Sequence, residues 1–492
     1  MNRESEETDA YGEVRALLLA RKWSGKHDSA AWFADLAQAG LLAPARCASG
    51  AQWRGGLKRM LVAAEIIGGH DAPLSHVPAL AGAAGLAAVD PGAAGLQSES
   101  LRALLAGALC GEGPILPALQ SGETTLVMGA GGGLRARKAA DGGLRLDGQR
   151  ICVPGSEFAA AFIAEAASDE GVILFVVEPA APGLSLTHSI AADGRRLGVL
   201  TFVDAPLDAG RIVARGQEAE RLLDIIRFRV QLGLGGESAG LAAALLACAG
   251  GSAQNEHALA GAMMSALLAR AFVFGAAGLA EPCRPGALEI IAGARAGASE
   301  AVLAAARTAL AQDHGPEQAG RAERLARRAL ALAHIYREPA AHRRRFAQWR
   351  WSHGAGPGLF ADLAAAAATF AGADRPFPLS PAVAALAALA DRVRTLALAS
   401  GRSDDPVFRD RFARAEIDLC GLVCADAQMR AGADIAPSFA AAACSHARRS
   451  LADCALRAGG SRAATCMENG DWAGAFVDAW RGAPAGPASD SA

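Results

Sequence analysis

The chain has 492 residues, with 48 Lys+Arg against 50 Asp+Glu, 57 glycines and an aromatic content of 5%. A hydrophobic fraction of 52% excludes a disordered chain, and a net charge of −2 excludes nucleic-acid binding driven by bulk charge, because neutralising phosphates needs a basic surface. At roughly 150 residues per domain the length suggests about three domains, and the surplus of alanine and glycine points to close-packed helices.

Met1 to Ala10 is polar and acidic and lacks the apolar core of a secretion signal. Tyr11 to Lys22 is amphipathic. A second helix follows Asp28, an N-cap residue, and ends at Gly40, which suits the C′ position. A third is expected over Gly56 to Ile67, with others between Val77 and Leu109. The longest charge-free stretches, Ala72 to Val89 and Ser238 to Asn255, are broken by proline or glycine and fall short of the about 20 apolar residues of a membrane helix. The expectation is a cytoplasmic protein with no membrane span and no nucleic-acid partner. Cys420 and Cys424 stand one helical turn apart, without the further ligands a zinc site needs, and read as buried thiols.

From Thr124 to about Ile212 the apolar spacing shortens. Leu144 to Gly148 reads as a strand ending in an Asp147-Gly148 turn. Phe162 to Ala167 and Gly171 to Pro179 read as strands flanking the polar Ser168 to Glu170, and Gly198 to Pro206 as another. The glycine run Gly129 to Gly133 lacks the context of a phosphate-binding loop and reads as a turn. From Glu218 to about Gln348 the chain is helical again, including Ala322 to Tyr336, where Arg324, Arg327 and Arg328 are expected on one side. After linker candidates at His353 to Gly358 and Gly372 to Pro381, helices are expected over Pro381 to Ser400, Asp405 to Arg430 and Pro437 to Ala458. The expected division is a helical domain over 1–122, a β domain over 123–217, a helical bundle over 218–350 and an additional helical domain over 376–480.

This order, with these residues, resembles the acyl-CoA dehydrogenase family. The segment Trp32 to Leu41 is similar to its "W..LA..GL" helix, and Gly55-Gly56 with Ala64-Glu65 to the helix after it. Leu119 to Glu123 matches "L.SGE", and Leu144 to Arg150 with Gly155 and Ala159 resembles the hairpin "L.G.K….GA..AD". Asp193 to Arg196 and Leu200 to Phe202 resemble the last strands of the middle domain. Ala294 to Ala301 and Ala311 to Gly315 are similar to "AK..ASEA…Q.HGG". Arg327-Arg328 and His342-Arg343 resemble the end of the small-subunit type of pimeloyl-CoA dehydrogenase, and Asp404 to Ile417 with Ser445 to Gly460 the last helices of the large-subunit type. The fold implied is a helical domain, a β-barrel-like middle domain and a four-helix domain, plus an extra helical domain at the C-terminus.

The resemblance implies an FAD enzyme that oxidises an acyl-CoA or related thioester between Cα and Cβ. A carboxylate would remove the α-proton while the β-hydrogen leaves as hydride to the flavin. It implies a homodimer, or a hetero-oligomer with a second acyl-CoA dehydrogenase-like subunit. Thr124 or Thr125 would serve the flavin ring and Gln254 the segment after the flavin arginine. Gln312 and Gly315 would approach the adenine half of a flavin held by the partner, and Glu317 is the candidate base, with Glu323 and Glu468 as lesser ones. The chain departs from the pattern in three places. The arginine-phenylalanine-glycine segment is missing between Leu245 and His257, Pro316 replaces a glycine and removes a donor, and no glutamate is in clean register. The alternative is therefore a flavin-deficient, non-redox or non-catalytic binding or assembly subunit. The basic cluster His342 to Arg345 reads as a CoA-phosphate contact or a solvated helix face.

Overall fold

The computed structural model describes residues 50–69, 99–110, 113–119, 133–249, 256–279, 286–312, 314–335, 338–352, 358–371, 379–432 and 437–459. The expected helices before residue 50, the glycine run before Gly133, and Thr124, Thr125, Gln254 and Glu468 lie outside them. Two N-terminal helices, α1 (Gly50–Gly69) and α2 (Glu99–Cys110), lead into an eight-stranded mixed sheet. Its strands are β1 (Ile115–Ala118), β2 (Leu134–Lys138), β3 (Leu144–Pro154), β4 (Ala161–Ser168), β5 (Gly171–Val177), β6 (Leu184–Ile190), β7 (Arg196–Leu207) and β8 (Ile212–Arg215). They lie in the order β6-β7-β3-β2-β4-β5-β8, with β1 paired in parallel to β4.

The turn at Ser168 to Glu170 forms as expected, joining β4 and β5 with Ser168 paired to Gly171. The Asp147-Gly148 turn does not form. Both residues lie inside β3, and the hairpin turn falls earlier, at Asp141 to Gly143, where Gly142 has φ 82° and the Asp141 side chain accepts from Gly143 N at 2.8 Å. Gly148 serves a different need: a Cβ there would lie 1.8 Å from Gly133 O, so the strand can pass its neighbour only as glycine. Strand β6 escapes the sequence because it is an edge strand with four consecutive exposed residues at its end and carries little apolar alternation.

The helices that follow are α3 (Gly216–Cys248), α4 (Glu256–Gly278), α5 (Ala287–Leu310) and α6 (Pro316–His334), which pack into a bundle with α1 laid across α3. The crossing of α1 and α3 is made by glycines: a Cβ at Gly240 would sit 1.8 Å from Glu65 O, and one at Gly68 2.2 Å from Glu237 O. Next come α7 (Pro339–Ser352), α8 (Gly358–Phe370), α9 (Pro381–Ala399), α10 (Pro406–Arg430) and α11 (Pro437–Gly459). These do not stand apart from the bundle. One apolar core runs from α4 and α5 through Phe346 into Phe360, Leu386, Phe412 and Leu451. Helix α10 lies against α4 so closely that a Cβ at Gly275 would be 2.4 Å from Cys424 Sγ.

By length and composition α3 and α4 are both apolar enough to cross a membrane, which the charge-free stretches of the sequence did not suggest. In α3, 78% of the most apolar stretch is buried inside the protein, so its apolarity supplies the bundle core.

Candidate functional site

The turn between α5 and α6 carries three of the predicted site residues. Helix α5 closes with Ala311 N donating to Arg307 O at 3.1 Å, and Gln312 N donates to Ala309 O at 3.3 Å. The same carbonyl accepts from His314 Nε2 at 2.7 Å, which fixes the proton on that nitrogen and braces the turn. The Gln312 amide donates weakly to Thr308 O at 3.4 Å, and its Oε1 is buried without a hydrogen-bond partner. Gly315 is the extended N-cap of α6. Pro316 occupies N1, where its missing N–H would have had no partner inside the helix. Gln318, which the sequence reading overlooked, donates to Cys248 O at 3.0 Å and ties the start of α6 to the end of α3. Only its place one turn after the motif could have signalled it.

Glu317 is also on this turn, but exposed on the first turn of α6, where a carboxylate favours the positive end of the helix dipole. Among the described residues nothing encloses it. Glu323 is exposed and paired with Arg327. The three arginines expected on one side of α6 separate: Arg324 and Arg327 are exposed and Arg328 is buried. Adjacent helix positions are about 100° apart, which the charge pattern alone obscured.

Arg328 belongs to a buried ionic cluster absent from the sequence reading. Its Nη2 donates to Glu237 Oε1 at 3.2 Å and to Ile67 O at 3.0 Å, joining α6 to α3 and α1. Glu237 is fully buried, its Oε2 lacks a hydrogen-bond partner, and burial raises its pKa against the pull of Arg328. Fully buried Arg295 donates to Ser238 Oγ at 2.8 Å and to Leu332 O at 2.6 Å, and burial brings it down to about 10. From the β6–β7 turn, the buried pair Asp193 and Arg195 adds its field to the same cluster. A second link joins sheet and bundle: Arg227 grips both oxygens of buried Glu165 at 2.9 Å, and Arg150 donates to Glu165 O. These groups tie the elements together in the interior.

The basic cluster on α7 is mostly paired rather than solvated, with Arg344 alone of its four residues exposed, beside Glu338. His342 and Arg343 are buried. Arg343 pairs with Glu300 of α5 and Asp410 of α10, Arg345 with Glu289 of α5, and Arg350 with Glu416 of α10. Its charges staple the last helices to the bundle. Cys420 and Cys424 are buried, and burial pushes both thiols up, so neither is a ready ligand or nucleophile. On the sheet, Cys152 has φ 56° where β3 bulges against β7, and the Ser156 hydroxyl beyond it is buried without a hydrogen-bond partner. A cleft of about 460 Å³ opens at the other end of β3, lined by Leu144, Leu146, Phe202 and Arg211, away from the α5–α6 turn.

Tested against FAD, the described residues fit one part of it. The Gln312 amide, with an unused buried acceptor beside a helix N-terminus, suits the hydrogen-bonding edge of an adenine. A Cβ at Gly315 would meet nothing within 4 Å, so open space lies beside that glycine, whose carbonyl accepts from Ala319 N at 2.9 Å. For the pyrophosphate, no arginine is present between Leu245 and His257.

No family model and no curated protein matches the sequence. Solved structures do. The chain is similar to the Tcur3481–Tcur3483 steroid ACAD, with a TM-score of 0.58 and 23% identity over 70% of this chain and 98% of that one. It is similar to the ChsE4–ChsE5 complex of Mycobacterium tuberculosis, with a TM-score of 0.56 and 21% identity over 71% of this chain and 97% of that one. An acyl-CoA dehydrogenase of Bacillus anthracis, solved with FAD, aligns over 95% of this chain and 92% of its own, with a TM-score of 0.68 and 15% identity. That last alignment takes in the C-terminal helices as well. The chain has the acyl-CoA dehydrogenase fold, extended at its C-terminal end by further helices.

Proposed function

We propose that this chain is a subunit of an acyl-CoA dehydrogenase-type flavoprotein that oxidises an acyl-CoA thioester, and that it shares its flavin site with a second acyl-CoA dehydrogenase-like chain. The observation that carries the reading is the α5–α6 turn. It is braced by His314 and Gln318, and it holds a glutamine whose buried amide oxygen has no hydrogen-bond partner among the described residues. Gln312 and Gly315 would lie along the adenine half of the flavin. The group would supply the hydride acceptor. The thioester carbonyl, polarised by fixed donors, would acidify the α-proton. Glu317 is the first glutamate after the motif, and in this reading it serves as base only if the second chain covers it. Thr124, Thr125 and Gln254 keep their proposed places toward the ring and the pyrophosphate. The match to the small-subunit type, with a large-subunit-like extension, belongs to the same proposal.

The missing arginine and the exposed Glu317 favour a second reading, in which the chain binds or assembles without holding flavin. One experiment separates the two. The protein is purified from its own cells with its partners and an acyl-CoA is added. Flavin bands that bleach on addition support the first reading, and a Gln312→Ala variant should then hold less flavin. A complex without flavin absorbance leaves the second.

A further inference from the structure

The cleft at the start of β3 takes no part in the α5–α6 turn or the buried ionic cluster. It lies between the β3–β7 part of the sheet and the end of β5. Its volume of about 460 Å³ falls within the range of small-molecule sites, about 300–1,000 Å³. Its floor is the core of the sheet itself. Leu146, Val176 and Phe202 are 1%, 0% and 2% exposed, and Phe202 stands edge-on to Phe175 at 6.2 Å. Leu144, Val177 and Leu184, each half-buried, line it further out. The turn after β5 gives the cleft a fixed wall. Ala181 N donates to Glu178 O at 3.1 Å, Leu184 N to Ala181 O at 3.1 Å, and Val203 N of β7 to Gly183 O at 2.9 Å. Gly183 has φ 75°, and a Cβ there would lie 2.6 Å from Ala205 Cα, so the turn sits directly on β7.

The charged groups of the lining are largely engaged within the chain. Asp141 accepts from Gly143 N at 2.8 Å and from Arg145 Nη2 at 3.3 Å. Asp208 accepts from Gly210 N at 2.9 Å, and Glu178 from Arg211 Nη2 at 2.5 Å. The other end of that guanidinium is left over: Arg211 Nη1 is buried with no hydrogen-bond partner among the described residues. A buried donor without an acceptor is costly, and more so on a charged group, so an acceptor is what the lining lacks. Asp141, Glu178 and Asp208 outnumber Arg145 and Arg211. An anionic ligand would therefore add to the excess of negative charge, and a cationic one would bring donors where an acceptor is wanted. The acceptor that fits is uncharged, a carbonyl or hydroxyl oxygen. The body that carries it must be apolar enough to cover Leu146, Val176 and Phe202.

We propose that this cleft binds a small uncharged molecule, mostly aliphatic, that offers one ketone or alcohol oxygen to Arg211. The proposal does not rest on the flavin reading. The test is calorimetric titration of the full chain with probes of matched chain length: 2-octanone, octanoate and octylammonium. The ketone should saturate a single site per chain and bind about tenfold or more tightly than either charged probe. Arg211→Met removes the donor, keeps an apolar stem and should weaken the ketone by about tenfold or more. Leu144→Trp should abolish binding by filling the cleft from β3, and Val177→Trp should do so from β5. Far-UV circular dichroism shows which variants are folded, and either tryptophan variant alone suffices. No saturable ketone binding in the millimolar range, or octanoate bound as tightly as the ketone, would overturn the proposal. So would unchanged affinity in folded Arg211→Met, or binding that survives a folded tryptophan variant, since the probe would then sit elsewhere in the chain.

Discussion

Replacing Glu237 tests whether the buried cluster holds the bundle together. Glu237 and Arg328 have side-chain exposures of 0% and 5%, and their bond joins α3 to α6 while the same guanidinium holds Ile67 O of α1. Glu237→Ala removes the carboxylate but leaves a guanidinium charge in the interior. The penalty expected for breaking such a pair from one side is about 3–5 kcal/mol. Glu237→Gln keeps an acceptor in place and should cost about 1–2 kcal/mol. The double replacement Glu237→Leu with Arg328→Met removes both charges and should recover most of the loss, because the buried pair itself is worth little against apolar packing. Native-state hydrogen exchange, read on peptides from α1, α3 and α6, reports the opening free energy of these helices directly. The reasoning fails if Glu237→Ala lowers that free energy by less than about 1 kcal/mol, or if the double variant opens as readily as the single one.

The same logic gives sharper expectations elsewhere. Gly240→Ala should destabilise by about 1–3 kcal/mol or more because its Cβ would be forced against the Glu65 carbonyl, whereas Gly320→Ala, with only the flexible end of Arg324 near, should stabilise by about 0.5–1 kcal/mol; urea midpoints compare the two. His446 pairs with Asp418 across α10 and α11 at 3.4 Å, and the hydrogen bond raises its pKa above 6.5. A raised folded-state pKa means the stabilisation is full below about 6.5 and lost as pH rises through the folded value. Wild type and His446→Gln should therefore differ in melting temperature at pH 5.5 and converge at alkaline pH; a constant difference would contradict it. Arg350→Met alone should loosen α7 from α10 by about 3–5 kcal/mol, seen as faster exchange in both helices, because it strands Glu416 at 1% exposure.

Much of the fold was legible in the sequence because its helices are long and carry their own punctuation. Asp405 caps α10 by accepting from Val407 N and Phe408 N, and Pro381 and Pro406 open α9 and α10. A candidate site could be named only where a contiguous motif survives, as at Gln312 to Gly315. The buried cluster was not, because Glu237 sits in an apolar run and its partner is 91 residues away. Asp147-Gly148 misled for the opposite reason: a turn-like pair was placed inside a long strand by a bulge and a close approach to Gly133. The arginines of α7 misled because a charge run is read as solvated unless its acidic partners, here on α5 and α10, are known to face it.

In the proposed role this chain lends Gln312 and its turn to a flavin site used for acyl-CoA oxidation. The most direct measurement is the absorbance spectrum, from the near-UV through the blue, of the complex purified with its native partners, before and after anaerobic addition of an acyl-CoA. Flavin bands that bleach on addition are expected, with lower flavin occupancy in the Gln312→Ala complex. A complex that carries no flavin, or flavin that no acyl-CoA reduces, would contradict it.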